Sequence, residues 1–133
     1  MKKLLVLLSL SFVLSGHALA LEKEPFSKDR FDELTSAGEV VLVDIFADWC
    51  PTCARQQEIL ARYREDNPGY NFHVLEVDFD TDKQWVRHFR APRQSTLLLF
   101  AGEEQYWFSV AETRPEVIYA ELDRAIEAAG AAE

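Results

Sequence analysis

A mostly apolar run that ends in a pair of cysteines constrains the fold of this chain more than any other feature. The run extends from Val40 to Phe46, and Cys50 and Cys53 follow it at once in the segment ADWCPTC. Short apolar runs rich in Val and Ile are typical of buried strands. We therefore expect a buried strand that delivers a reactive C-x-x-C pair to one edge of a sheet.

The residues after the pair predict a helix that begins at the cysteines. Residues 54–64 contain neither Pro nor Gly, and Leu60 and Tyr63 follow Cys53 at roughly helical spacing. Cys50 would then lie at the amino end of the helix, where unpaired N–H groups and the helix dipole favour an anion. Because a thiolate is stabilised there, Cys50 is the predicted nucleophile, and Cys53, one turn later, is close enough to form a disulfide with it.

The close spacing of the two cysteines favours a redox role over a structural one. A disulfide between them closes a very small loop, which offers little of the entropy by which structural disulfides stabilise a fold. A structural zinc site needs four ligands, and His73 and His88 lie at no ligand-like spacing from the pair. We therefore expect a dithiol switch that uses no metal and no cofactor.

Residues 1–20 are predicted to be a cleavable signal peptide. Lys2 and Lys3 form a positive start, residues 4–14 an apolar core, and residues 18–20 an A-x-A cleavage motif. The apolar core is shorter than the about 20 residues that span a bilayer. An uncleaved membrane anchor is the alternative. We expect export to the periplasm and a mature domain of residues 21–133.

The charge of the chain limits its partners. It has 14 Lys and Arg against 23 Asp and Glu, and loss of Lys2 and Lys3 with the signal peptide would leave 12 against 23. Nucleic acids and anionic membrane surfaces both require clustered basic residues. We therefore expect neither as a partner, and we expect a single, monomeric domain.

The rest of the domain alternates between helical and strand patterns. The predicted elements are a loose tail at 21–25, a helix capped by Ser27, a strand at 71–78, a helix at 81–90, a hairpin of strands at 96–100 and 105–110, and a helix after Thr113. Strand, helix, strand and helix in this order imply parallel strands with crossover helices, to which the hairpin adds antiparallel ones. The predicted fold class is α/β, with a mixed sheet of four or five strands and helices on both faces.

The segment VDIFADWCPTC, with a strand before it and a helix after it, resembles the active-site segment of the thioredoxin superfamily. The similarity extends from about Phe26 to the last helix. The C-P-T-C motif resembles that of thioredoxin-like proteins in cytochrome c maturation, whereas V-D-I-F-A-D-W-C is similar to the periplasmic domain of transmembrane electron-transporting disulfide reductases. The resemblance implies a thioredoxin-like fold and thiol–disulfide exchange with partner proteins.

Asp44 interrupts the apolar strand six residues before Cys50. Burial of a carboxylate without a partner is costly and raises its pKa. The resemblance implies that a buried acid at this position serves the thiol of Cys53. The alternative is a strand-end Asp bonded to backbone donors or water. Many thioredoxins carry a lysine near this acid, but the corresponding residue here is Glu76, so we expect Asp44 to lack a cationic neighbour.

The resemblance also implies a substrate-binding surface formed by Trp49, Pro51, Gln94 and Ser95. Thioredoxins place a cis-proline opposite the cysteines, where this chain has Ser95. A cis bond before a non-proline residue costs about 2.5–4 kcal/mol, so we expect a trans bond between Gln94 and Ser95. The Ser95 hydroxyl could donate to the Cys50 thiolate, help to admit a metal ion, or be a tolerated replacement.

These features together predict an exported thiol–disulfide oxidoreductase that reduces the disulfides of exported proteins. The residues within the motif, Pro51 and Thr52, are uncharged, and the nearby Asp44 and Asp48 disfavour a thiolate. Weak stabilisation of the thiolate is typical of reductants, which in this compartment need a membrane electron donor. The alternative is a redox-inert or metal-holding module that keeps the fold for binding.

Overall fold

The computed structural model describes residues 21–130, so the predicted signal peptide lies outside the described residues. The elements in chain order are β1 (Glu24–Pro25), α1 (Lys28–Ser36), β2 (Val40–Phe46), α2 (Pro51–Asp66), β3 (His73–Asp78), α3 (Lys83–His88), β4 (Thr96–Ala101), β5 (Glu104–Val110) and α4 (Pro115–Gly130). None of these helices is both long and apolar enough to cross a bilayer.

The five strands form one mixed sheet in the order β1-β3-β2-β4-β5. Strands β1, β3 and β2 run parallel, and β4 is antiparallel to both β2 and β5. The parallel neighbours β2 and β3 are joined through α2, as a crossover connection requires. This arrangement confirms the predicted α/β fold class and places β2, which leads into the cysteines, at the centre of the sheet.

The prediction of a loose tail at residues 21–25 is wrong. Glu24 and Pro25 pair in parallel with Leu75 and Glu76 of β3, and the N–H of Phe26 donates to the Glu76 carbonyl oxygen at 2.8 Å. Two residues are too few to show an alternating pattern, so this strand has no periodic signal in the sequence. It forms because the edge of β3 supplies its hydrogen-bond partners.

Successive side chains of β2 enter two separate cores on opposite faces of the sheet. Val40 and Leu42 pack in the core formed with α2 and α4, whereas Val41, Val43 and Ile45 pack in the core on the side of α1 and α3. The alternation places Asp44 on the same face as Leu42, beneath α2. The position of this carboxyl is therefore a consequence of the strand register.

The ends of two helices have clear local causes. The Ser27 hydroxyl oxygen accepts the N–H of Arg30 at 3.2 Å, which confirms the predicted cap of α1, and Gly38 follows that helix with φ of 81°. Helix α3 ends at His88, before the predicted end at residue 90. Arg90 has φ of 53°, in the left-handed region that a continuing helix cannot contain.

Candidate active site

The two cysteines form a disulfide at the amino end of α2. Cys50 and Cys53 are bonded through sulfur, with Cα atoms 5.3 Å apart. Cys50 is the N-cap residue, and its Sγ accepts the N–H of Cys53 at 3.1 Å. Pro51 begins the helix, where it has no N–H to leave unpaired and its fixed φ suits the first turn. The structure thus places Cys50 where the sequence predicted it.

The environment of the pair differs between the two sulfurs. Cys50 is 3% exposed and Cys53 is fully buried, and both pack with Ala47 against the rings of Phe46 and Phe79. After reduction, the N–H groups at the start of α2 would stabilise a thiolate at Cys50. Cys50 is therefore both the more accessible sulfur and the one that the helix can activate.

Asp44 is completely buried beneath α2. Its Oδ2 accepts a hydrogen bond from Gln57 Nε2 at 3.3 Å, and its Oδ1 has no partner among the described residues. Burial raises the pKa of Asp44 to about 7; the Gln57 amide opposes the rise and the charge of Glu76 adds to it. Gln57 and Cys53 are four residues apart, so they lie on the same face of α2.

Three residues complete the surroundings of Asp44: Glu76, which sequence analysis placed near this acid, and Lys23 and Gln57, which it did not assign to the site. The Lys23 ammonium donates to the Glu76 carboxylate and to Gln57 Oε1, the latter at 3.4 Å. It also lies 4.2 Å from the centroid of the Phe46 ring. Gln57 Nε2 donates to Glu76 Oε2 at 3.0 Å as well as to Asp44.

The expectation that Asp44 lacks a cationic neighbour is therefore wrong. The cation comes from Lys23, immediately before β1, and its charge lowers the pKa of Asp44 against the larger effect of burial. No motif in the sequence marks this residue. Only the pairing of β1 with β3 brings it to Glu76, and that strand has no sequence signal of its own.

Lys23→Met and Glu76→Gln are expected to shift the pKa of Asp44 in opposite directions. Loss of the ammonium should raise this pKa further, whereas loss of the Glu76 charge should lower it. A pH titration of the Asp44 carboxyl carbon signal by NMR measures both shifts. Lys28→Met, which removes an exposed lysine from α1, is the matched control and should leave the titration unchanged. Shifts of the same sign in the two variants would contradict this account.

Trp49 and Pro51 flank the first cysteine at the surface. The Trp49 side chain is 59% exposed, and its Nε1 donates to Asp80 Oδ2 at 2.7 Å. Pro51 is also exposed. The hydrogen bond fixes the orientation of the indole, whose exposed face is flat and apolar. Its role as a wall of the substrate site stays a prediction.

The backbone of Ser95 ties the start of β4 to the site. Its N–H donates to the Ile45 carbonyl oxygen at 2.8 Å, and its own carbonyl oxygen accepts bonds from Gln56 Nε2 at 3.2 Å and from the N–H of Ala111 at 2.8 Å. The bond between Gln94 and Ser95 is trans, as expected, and Ser95 has φ of 60°. Ser95 is therefore held in a left-handed conformation by three hydrogen bonds.

The Ser95 hydroxyl has a backbone acceptor in the oxidised protein. It donates to the Gln94 carbonyl oxygen at 2.5 Å, so a bond to the Cys50 thiolate remains a prediction for the reduced form. The N–H of Gln94 has no acceptor within residues 21–130, and the residue is half-buried. Across the same range, no three His, Cys, Asp or Glu side chains are grouped so that they could hold a metal ion.

Comparison with known proteins agrees with this geometry. The family profile described as Thioredoxin matches residues 22–124. The chain belongs to the thioredoxin family. Membership of this family, together with the C-x-x-C disulfide, supports thiol–disulfide oxidoreductase activity.

Individual relatives and solved structures agree with the family match. The chain is 32% identical over 53 residues to a thioredoxin of Coprinus comatus, covering 40% of this chain and 50% of that protein. It is 33% identical over 76 residues to a thioredoxin H-type of Oryza sativa subsp. indica, covering 54% and 61%. The chain thus spans about half to three fifths of the length of these relatives. The structure of Trxlp from Edwardsiella tarda EIB202 is 36% identical, with a TM-score of 0.70, and the match covers 76% of this chain and 98% of that one.

Proposed function

We propose that the protein is a periplasmic thiol–disulfide oxidoreductase that reduces the disulfides of exported proteins. The observation that carries the proposal is the pairing of two features in one site. The Cys50–Cys53 disulfide caps α2, and Asp44, whose pKa burial raises to about 7, is bonded to the same face of that helix. The first feature supplies a nucleophilic sulfur and the second a proton acceptor.

The reaction begins with the reduced pair. The Cys50 thiolate attacks one sulfur of a partner disulfide, forms a mixed disulfide and releases the other partner sulfur as a thiolate. The Cys53 thiol then gives its proton to Asp44, and the resulting thiolate attacks Cys50 Sγ. This step releases the second partner thiolate and leaves the Cys50–Cys53 disulfide, which is the form described here.

Asp44 suits the second step because of its environment. A general base works best when its pKa is near the pH of the reaction, and burial brings the pKa of this carboxyl to about 7. A carboxyl with the ordinary value of 3.8 would be too weak a base for a thiol. The unpaired Oδ1 leaves one oxygen free to carry the proton.

The location and the direction of the reaction are supported by sequence features. Residues 1–20 have the charge, apolar core and cleavage motif of a signal peptide. An exported reductant needs a membrane electron donor, because the periplasm is kept oxidising. Partner strands would pair with the free N–H of Gln94 and pack against the exposed Trp49.

The reduction potential tests the direction. We expect the purified protein, equilibrated with glutathione, to have a potential between about −180 and −270 mV, within the range of disulfide isomerases and thioredoxins. A helix terminus favours the thiolate, but Pro51 and Thr52 add no charge and Asp44 and Asp48 oppose it. A potential near about −120 mV would identify an oxidant instead. A pair that cannot be reduced in the folded protein would support the redox-inert alternative.

The metal-holding alternative depends on Ser95. Its hydroxyl would have to turn towards the sulfurs, but in this structure it donates to the Gln94 carbonyl oxygen. No other observation within the described residues favours this alternative, so the oxidoreductase is the function that we propose.

A further inference from the structure

The end of α3 and the turn that follows it carry a concentration of positive charge. The chain has a net charge of −9, yet no Asp or Glu occurs between Asp82 and Glu103. Arg87, Arg90 and Arg93, here called the basic rim, lie in this interval. A local excess of positive charge on an otherwise negative protein attracts partners that are negatively charged.

The charges of the basic rim are not used inside the protein. All three side chains are exposed, and none forms a salt bridge or side-chain hydrogen bond within residues 21–130. Four other arginines of the described chain pair with glutamates: Arg30, Arg55, Arg114 and Arg124. The fold therefore gains no ion pair from the basic rim, and its guanidinium groups are free to bind a partner.

The basic rim is close in sequence to Ser95, which is bonded to the two elements that carry the disulfide. Two residues after Arg93, Ser95 is bonded to the Ile45 carbonyl oxygen at the end of β2 and to Gln56 in the second turn of α2. Both elements meet at Cys50, which follows β2 and caps α2. A protein strand that binds alongside Gln94 would therefore lie next to Arg93, the preceding residue of the basic rim.

The backbone of the basic rim is fixed, and at one residue it is strained. Phe89 lies in the core between α1 and β4, with its ring centroid 5.2 Å from that of Phe26 and 5.9 Å from that of Phe31. Arg90, next to this anchor, has φ of 53°, and its N–H donates to the Arg87 carbonyl oxygen at 3.0 Å. Gly or Asn adopts this conformation more easily than Arg does, so folding alone does not favour an arginine here.

The surroundings of the basic rim differ from one side to the other. Arg90 forms one wall of a groove of about 540 Å³, with His88 beside it and the exposed ring of Phe108 opposite. On the other side of the disulfide, Asp80 holds Trp49 and Asp48 is exposed. The charges thus differ on the two sides of β2: Asp80 follows β3, whereas Arg93 precedes β4.

We propose that the basic rim selects partner proteins in which acidic residues flank the disulfide to be reduced. The proposal rests on the proposed function and specifies its substrate class. Glu or Asp side chains beside the partner cysteine would pair with Arg90 and Arg93, and an apolar side chain could enter the groove beside Phe108. Basic residues at the same places would be repelled, so the basic rim would discriminate by charge.

Three peptide disulfides test this selectivity. They share one sequence except for two residues beside a cysteine, which are both Glu, both Gln or both Lys. The pre-reduced protein is mixed with each in a stopped-flow instrument, and the rate of its oxidation is followed by tryptophan fluorescence. At low ionic strength we expect the Glu peptide to react about tenfold faster than the Lys peptide, and 0.5 M salt should bring this ratio close to one, since the Debye length is then only a few Å.

Matched variants assign the effect to the basic rim. The double variant Arg90→Asn, Arg93→Gln should lower the Glu-to-Lys ratio to about two. Arg62→Gln removes a charge that is also exposed, from the fourth turn of α2, and should keep the full ratio. Arg90→Asn alone should keep or raise the melting temperature, because Asn tolerates positive φ, so misfolding would not explain a lost preference.

The possible outcomes separate this proposal from the proposed function. Equal rates with the three peptides would overturn the charge selectivity and leave the oxidoreductase proposal intact. The same conclusion would follow if the double variant reacted more slowly with all three peptides by the same factor. No reaction even with the Gln peptide would overturn both, since the chemistry itself would then be absent.

Discussion

Replacement of Cys50 by serine is expected to abolish disulfide reduction, with a loss of more than about 1,000-fold in turnover. The amino end of α2 can stabilise a thiolate at residue 50. A serine hydroxyl is not ionised near neutral pH, so the variant has no nucleophilic anion there. Cys53 cannot substitute for it, because that sulfur is fully buried. Reduction of a peptide disulfide by the pre-reduced variant measures the loss.

Cys53→Ser is the informative companion variant. Cys50 can still attack a partner, but no second thiol releases it, so mixed disulfides should accumulate and be visible by non-reducing electrophoresis. Alkylation of the reduced wild-type protein at mildly acidic pH should label Cys50 first, because Cys50 caps α2 and is the more exposed of the two residues. Recovery of the same covalent complexes from Cys50→Ser, or label mainly on Cys53, would reverse the roles assigned here.

The parts of the site that follow from local rules could be predicted from the sequence. An apolar run determines β2, the absence of Pro and Gly after the cysteines determines α2, and Pro51 in the first turn agrees with Cys50 as its cap. Asp44 is buried because alternate residues of one strand face one side of the sheet. Each of these predictions depends on neighbours within a few positions of the chain.

The residues that tune Asp44 could not be predicted in this way. Gln56 and Gln57 are adjacent and identical, yet the first bonds to the Ser95 and Glu112 carbonyl oxygens and the second to Asp44. Which of them faces the acid depends on the rotation of α2 over the sheet, which tertiary packing sets. Lys23 is likewise brought to the site by a strand pairing that leaves no periodic pattern.

Asp44→Asn is expected to stabilise the fold and to slow the reaction. Between pH 3.8 and about 7 the unfolded chain has lost the Asp44 proton while the folded protein keeps it. Stability therefore falls as the pH rises through this interval, and the ionised carboxyl costs up to about 4 kcal/mol above it. The neutral amide avoids this cost, so at pH 8 the variant should be more stable by about 2–4 kcal/mol.

The gain in stability should depend on pH in a defined way. At pH 4 the carboxyl is protonated in the folded protein, so the variant and the wild type should differ little. The difference should grow up to about pH 7 and then level off, as the titration of Asp44 is complete. Denaturant unfolding of the oxidised protein at several pH values measures this curve. Asp48→Asn removes the same charge from an exposed position nearby and should give a flat difference.

The kinetic effect decides whether Asp44 takes part in the reaction or only destabilises the fold. Loss of a general base should slow the attack of Cys53 on the mixed disulfide by about 100-fold at pH 7. The first step, attack by Cys50, should change far less, so the mixed disulfide should persist in the variant. At higher pH the Cys53 thiol ionises without help, and the deficit should shrink. A variant that is less stable at pH 8 and resolves the mixed disulfide at the wild-type rate would show instead that Asp44 is a structural residue whose carboxylate the fold requires.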